Sequence, residues 1–559
     1  MKKAIFTIFS FILIAQLSFA GGIVTNTNQS AAWVRMMARD ASVDVDAVFF
    51  NPAGLTQLED GFYLQINSQT IKQSRTVTSS FPGLNNDTYE GKTFVPFLPT
   101  AFAVYKRGNL ALSAGFTVIG GGGSAEFNKG LPDFEYQLAS LPSLLAGLKD
   151  VGDKAGVDLS VTGYDVKSSI TGTSSYLGFQ AAASYKINDM ISVAVGARYV
   201  TASNKYDGSI KDISVVNGGQ TMRADDFINQ KAVPTLNGLS SQLTQITQIP
   251  GQLQPFIDGG AGDFTLAQIK ANGYIDDDTY NGLIKAGQAI GISDPSVLTL
   301  KQFSGAIEQA TPTLNEQIAA LNGNAAVLTA TANQLADKEL QVEQTGSGIT
   351  PFIGVDFNLM DGNLGLAFKY EMKTNMTVTT KVIKDDLGLY KDGEEVPAEM
   401  PAMFSAGLRY KTGGLKLQTG FHYYFDKAAK YGKKNAAGEF VTNGEETTFA
   451  GSTDKTLLAG NSTEFAIGLQ YDLSSMFGVS AGFLMTNSKP NSVYQSSLSY
   501  SLPTKTIGFG FVVHPTSSLD IDLGVSTTSY DKYEKDFGTY KETYDKTALV
   551  FALGASLKL

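Results

Sequence analysis

Leu549-Val550-Phe551-Ala552-Leu553-Gly554-Ala555-Ser556-Leu557-Lys558-Leu559 closes the chain and alternates residue by residue. Leu549, Phe551, Leu553, Ala555, Leu557 and Leu559 are apolar, and the positions between them are small or polar except Val550. Successive side chains of a strand point to opposite faces, so this run has one face for lipid and one for water. Its length is about what a tilted strand needs to cross a bilayer.

Working back from this end, the same alternation predicts strands near 62–72, 95–105, 110–120, 173–186, 191–206, 348–359, 363–376, 400–410, 415–427, 462–472, 477–487, 504–513, 518–530 and 546–559. The connections alternate between short turns, such as Ile187-Asn-Asp-Met190 and Lys411-Thr-Gly-Gly414, and long loops, the longest at 207–347. Short turns carry the turn formers Gly, Asn, Asp, Pro and Ser. An even strand count with short periplasmic turns and long extracellular loops is the pattern of an outer-membrane barrel. A soluble sandwich has no reason to alternate its loop lengths.

The N-terminus gives a compartment. Lys2 and Lys3, the apolar run 4–17 and Ser18-Phe19-Ala20 read as a signal peptide over 1–20. No other stretch is long and apolar enough for a membrane-spanning helix. There is no cysteine, which removes disulfides, thiol catalysis and sulfur-bound metal, and only His422 and His514 supply imidazole. Removing Lys2 and Lys3 leaves 41 basic residues against 53 acidic, a balance opposed to nucleic-acid binding. No cofactor, metal or catalytic residue is expected, and the chain does not read as an enzyme. Its expected partners are outer-membrane lipid and a hydrophobic small molecule, with the protein a monomer spanning the membrane many times.

Two loops carry helical signals. Leu138, Leu141, Leu144, Leu145 and Leu148 make an apolar stripe within 131–150, and the 207–347 insertion has helix-like runs near 264–272, 278–289, 298–309 and 312–340. The insertion reads as a helical extracellular subdomain within a barrel running from 62 to 559. Residues 21–61 do not alternate. Ser30-Ala-Ala-Trp-Val-Arg-Met-Met-Ala-Arg39 looks helical, and Asn51-Pro52-Ala53-Gly54 makes a tight break. This apolar segment has no strand of its own and needs an interior to pack in.

The run Ala38-Arg-Asp-Ala-Ser-Val-Asp-Val-Asp-Ala-Val-Phe-Phe-Asn-Pro-Ala-Gly54 resembles the N-terminal hatch of the FadL/TodX outer-membrane transporters. Phe94-Val-Pro-Phe-Leu-Pro99, residues 110–127 and residues 174–189 are similar to that family's second, third and fourth strands. The resemblance implies an all-β fold, a 14-stranded antiparallel transmembrane β-barrel plugged by the helical hatch at 21–61. It also implies uptake of hydrophobic molecules, either long-chain fatty acids or aromatic hydrocarbons. In that family an outer groove captures the ligand, an interior pocket receives it, and a kinked third strand lets it leave sideways into the bilayer. The sequence departs from the pattern in its long insertion and in ending on Leu559 rather than an aromatic residue. Its interior cations also do not map cleanly onto the family's.

Gly120-Gly121-Gly122-Gly123 falls at the expected outer end of the third strand, where four glycines weaken strand propensity and permit a kink. Parity places Arg198, Lys369, Glu371, Lys373, Arg409, His422 and Glu464 on the lumen side. Arg198, Lys369, Lys373 and Arg409 are therefore candidate ligand cations, with Arg198 the expected carboxylate anchor. The competing assignment pairs these cations with Glu371, Glu464, Asp356, Asp44 or Asp46. A surface adhesin built on the 207–347 insertion is the alternative function.

Overall fold

The computed structural model describes residues 25–559, so the expected signal peptide and the first residues of the expected hatch lie outside the described residues. Fourteen strands form the barrel: β1 Gly61–Ser79, β2 Thr88–Arg107, β3 Leu110–Phe127, β4 Gly163–Lys186, β5 Ile191–Asn217, β6 Lys338–Leu359, β7 Leu364–Glu371, β8 Met403–Thr412, β9 Leu415–Tyr424, β10 Ser462–Asp472, β11 Phe477–Asn487, β12 Thr504–Thr516, β13 Leu519–Tyr530 and β14 Lys541–Lys558. Each pairs with the next, and β14 pairs back onto β1 from Tyr63↔Lys558 to Ser79↔Glu542. Closure gives every strand two neighbours and removes the free edges of an open sheet. Short strands at Thr377–Asp385, Glu395–Pro397 and Tyr533–Asp536 extend the sheet beyond this frame.

The alternation fixes which face is which. On β1, Ile66 is 65% exposed while its neighbours Gln65 and Asn67 are buried; on β14, Leu553 is 53% exposed and Ala552 is buried. Apolar residues outside and amides inside describe a barrel with a lipid face and a polar lumen. β1 to β6 run for 18 to 27 residues, about twice what the hydrocarbon requires. The excess on β1 and β2 belongs to regions the sequence reads as loop. Beyond the bilayer neither face needs to be apolar, so the pairing continues after the alternation has faded.

Of the two compact units, the first comprises the described residues up to Tyr136, together with Lys167–Ile210 and Lys338–Leu559. The second, Gln137–Val166 and Lys211–Asp337, is mostly helical. Its core gathers Leu253, Leu266, Leu283, Phe303 and Ile307 from helices Val233–Phe256, Leu266–Ala271, Asp277–Ala289 and Leu300–Gln334. Thr265 with Gln268 and Thr299 with Gln302 form two capping boxes, and the two threonines pair in a β-bridge. Two expectations differ here. Val233–Phe256 is helical although Pro234, Pro250 and Pro255 mask its pattern, and Pro312 lies inside one long helix rather than separating two.

Candidate functional site

The hatch fills the lumen. Helix α1, Ala31–Met36, starts at Ser30, whose hydroxyl accepts from the Trp33 amide and donates to Asp46 at 2.8 Å. Arg39 bonds Asp46 and Asp44, folding the following turn back on itself. Arg35 reaches the wall, donating to Asp522 and Gln470, both at 2.7 Å. Wall glycines let the hatch approach: a side chain at Gly482 would overlap the Met36 backbone. After the short helix α2, Ala47–Phe50, Asn51 accepts from Ala53 N and donates to the wall carbonyls of Val355 and Phe368 at 3.0 and 3.2 Å. Pro52 opens the next turn without wasting a donor, and a side chain at Gly54 would collide with the Ser42 carbonyl. The Asn-Pro-Ala-Gly motif thus ties the plug to the wall.

All four candidate cations are engaged by partners within the protein. Arg198 makes a two-pronged contact with Glu371 at 2.9 and 3.0 Å and lies 4.9 Å over the Phe49 ring. Lys369 bonds the Phe49 carbonyl and Glu371. Arg409 bonds Asp356 at 2.6 Å and the Ala41 carbonyl. Lys373 lies beyond the end of β7 and pairs with Glu399 at 3.0 Å. Arg198, Lys369 and Arg409 clamp hatch backbone and the Phe49 ring, and none of the four candidates lines the cavity described below. His422 joins hatch to wall, its Nε2 2.6 Å from Asp40 and its Nδ1 2.8 Å from Glu464.

The wall is interrupted between β2 and β3. Their ladder runs from Arg107↔Leu110 to Ala101↔Phe116 and resumes only at Lys92↔Glu126. Residues 93–100 and 117–125 face each other unpaired. Chemistry on both strands accounts for this. Pro96 and Pro99 have no N–H to offer, and prolines are kept out of central ladders for that reason. On β3 the glycine run lies inside the strand, not at its expected end, and bulges interrupt pairing with β4 at Val118/Gly120 and Gly121/Gly123. Gly121 has φ +62°, and a Cβ there would overlap the Ser174 carbonyl.

The hatch supplies the bonds that β2 withholds. Asn26 N donates to Ile119 O at 2.8 Å, and its side chain donates to the carbonyls of Gly121 and Val118. Gln29 donates to Val118 O at 2.9 Å and accepts from Val118 N. Val95, Leu98 and Val118 form an apolar cluster at the break, while Phe94 and Phe97 stand outward, 61% and 64% exposed.

A cavity of about 400 Å³ lies against the hatch. Thr27 and Trp33 of the hatch line it, as do Val95, Gly121 and Gly123 at the wall break, so the cavity reaches the interruption. Glu464 also lines it, with its carboxylate bonded to His422 and Thr486. Two further cations line it, Arg75 on β1 and Lys546 on β14. Arg75 lies 4.8 Å over the Tyr500 ring and Lys546 4.9 Å over the Tyr530 ring. The sequence reading missed both. It ended the first strand before Arg75, and the register that sets Arg75 opposite Lys546 is a property of closure. Pro96 and Pro99 were visible as proline inside or beside a predicted strand, a recognised sign of broken pairing.

No family model matches the sequence, and no curated protein matches it. The fold is similar to the crystal structure of a Pseudomonas aeruginosa FadL homologue, with TM-score 0.54, 12% identity, and coverage of 96% of this chain and 99% of that one. Weaker likenesses are the toluene transporters TodX of Pseudomonas putida, with TM-score 0.47, 13% identity and coverage of 92% and 94%, and TbuX of Ralstonia pickettii, with TM-score 0.42, 13% identity and coverage of 96% and 98%. With fourteen strands closed around an N-terminal plug and an apolar belt facing lipid, the chain has the fold of the FadL-type outer-membrane barrels.

Proposed function

We propose that this protein takes hydrophobic molecules across the outer membrane, with long-chain fatty acids as its cargo. The observation that carries this reading is the cavity over the plug, which runs to an unpaired stretch of wall. A solute in that cavity has the hatch beneath it and a gap toward lipid beside it. Sideways release costs an apolar chain nothing in hydration, whereas passage into the periplasm would expose it to water.

The lining favours an acid over an uncharged hydrocarbon. Arg75 and Lys546 bring a guanidinium and an amine to the cavity, while Ile71 and Val95 offer apolar surface. The tail contributes about 0.8 kcal/mol per buried methylene, and a charge-assisted bond about 1.5–3 kcal/mol. The tail therefore sets affinity and the head sets orientation. The Gly120–Gly123 segment and the two prolines are the proposed exit, and the hatch residues 26–29 are its inner seal.

Native mass spectrometry of protein purified in mild detergent tests the cargo. Retention of long-chain carboxylic acids, and loss of their uptake in cells lacking the protein, are the expected results. Retention of uncharged aromatic hydrocarbons would replace the fatty-acid assignment, and unaltered uptake of both would end the transport reading.

A further inference from the structure

Lys546 brings a primary amine to the cavity beside a guanidinium. It faces Arg75 across the β1–β14 ladder, and both side chains line the cavity. Its Nζ lies 4.9 Å over the Tyr530 ring, and Tyr500 carries the Arg75 guanidinium 4.8 Å over its face. Among the described residues, no carboxylate stands within salt-bridge distance of this amine. Asp545, its neighbour in sequence, pairs with Lys532 at 3.1 Å, and Glu464, which shares the cavity, is bonded to His422 and Thr486. Lys546 thus differs from a lumen lysine such as Lys369, whose charge is met by Glu371.

The pair stands beyond the lipid belt, since the outward positions flanking it, Ser74 and Thr76 on β1 and Asp545 and Thr547 on β14, are polar. An ammonium that loses hydration and meets a second cation is disfavoured, and the neutral amine it leaves is a nucleophile. Burial, and then the charge of Arg75, push Lys546 down to about 7. A lysine in open water stays an ammonium at neutral pH, with no lone pair to give.

We propose that Lys546 is a covalent docking amine for long-chain aldehydes, which it holds in the cavity as a reversible Schiff base. The amine lone pair attacks the carbonyl carbon, and a proton passes from nitrogen to the former carbonyl oxygen. The C–O bond then breaks, the hydroxyl leaves with the second amine proton as water, and a C=N bond remains. Water reverses both steps, so nothing is oxidised or reduced and the aldehyde is released unchanged. Arg75, directly opposite, is placed to polarise the carbonyl during attack, and Ile71 and Val550 give the chain apolar surface. An alcohol or hydrocarbon of equal length has no carbon for the amine to attack.

Reductive trapping tests this on the intact barrel in a non-ionic detergent. Dodecanal is added with cyanoborohydride, which reduces a C=N bond to a stable secondary amine, and the labelled lysines are mapped by peptide mass spectrometry. At neutral pH Lys546 should be labelled about tenfold or more faster than the exposed Lys92 and Lys285. That lead should shrink as pH rises from about 7 toward 10.5, where every lysine becomes neutral. Propanal, too short to use the apolar lining, should show a smaller lead. Arg75→Gln should narrow the lead at neutral pH, and Lys546→Arg should remove the fast label. Labelling of Lys546 no faster than Lys92, or a lead that neither pH nor a heat-modifiable, folded Arg75→Gln variant alters, would overturn the aldehyde site and leave the uptake reading standing.

Discussion

Arg75 on β1 and Lys546 on β14 stand directly opposite each other at the seam that closes the barrel, and both line the cavity over the plug. A carboxylate bound at this seam would gain a charge-assisted contact with the guanidinium and favour the protonated form of the amine. Arg75→Gln or Lys546→Gln should weaken binding of a long-chain carboxylate about tenfold or more, the equivalent of about 1.5–3 kcal/mol. Binding of the matching alcohol should change less than twofold, as checked by calorimetry on both ligands.

Arg198 should behave in the opposite way. Arg198→Ala removes a buried two-pronged partner from Glu371 and a guanidinium from the Phe49 ring. Breaking a buried pair costs about 3–5 kcal/mol, so the variant should unfold earlier in a heat-modifiability assay. Its preference for carboxylate over alcohol should be unchanged. A selective loss of carboxylate binding would return Arg198 to the ligand site.

Asn51 holds the plug to β6 and β7 through two carbonyls while capping its own turn. Asn51→Ala removes both bonds to the wall, at a cost of about 0.5–1.5 kcal/mol each. In planar bilayers the unmutated protein should be nearly non-conducting, and the variant should show intermittent openings. Equal conductance in the two would mean that the motif has no part in seating the plug.

Lys433 predicts a pH effect whose sign follows from burial. Burial, and then Lys535, push it down to about 8 in the folded protein from an ordinary 10.5. Its contribution to stability is therefore fully present above 10.5 and is lost as pH falls toward 8. Resistance to unfolding in a heat-modifiability assay should rise between about pH 8 and pH 10.5, and Lys433→Gln should flatten that rise.

The parts of the fold fixed by the bilayer were legible, and the parts fixed by contacts within the lumen were not. Lipid imposes a two-residue period on any strand that crosses it. Ile66, Val195, Phe509 and Leu553 accordingly stand outside, where the alternation places them. The same parity sends Arg198, Lys369 and Arg409 inward, but it is silent on their partners, which lie on other strands and on the hatch. Arg75 escaped notice because β1 continues above the membrane, where no apolar face marks it. The glycine run signalled weak pairing on β3, whereas the matching prolines on β2 acquire meaning only once the two strands are known to be neighbours. Asn26 and Gln29 are ordinary polar residues until a kinked strand needs their hydrogen bonds.

The most direct test of the account is to lock the wall break. The chain has no cysteine, so Leu98→Cys and Val118→Cys introduce a unique pair into the apolar cluster where β2 and β3 lack pairing. Joining the two with a short thiol-cleavable linker should abolish uptake of a hydrophobic tracer by intact cells while leaving cavity binding unchanged, and cleaving the linker should restore it. Full uptake by completely cross-linked protein would contradict sideways release between β2 and β3.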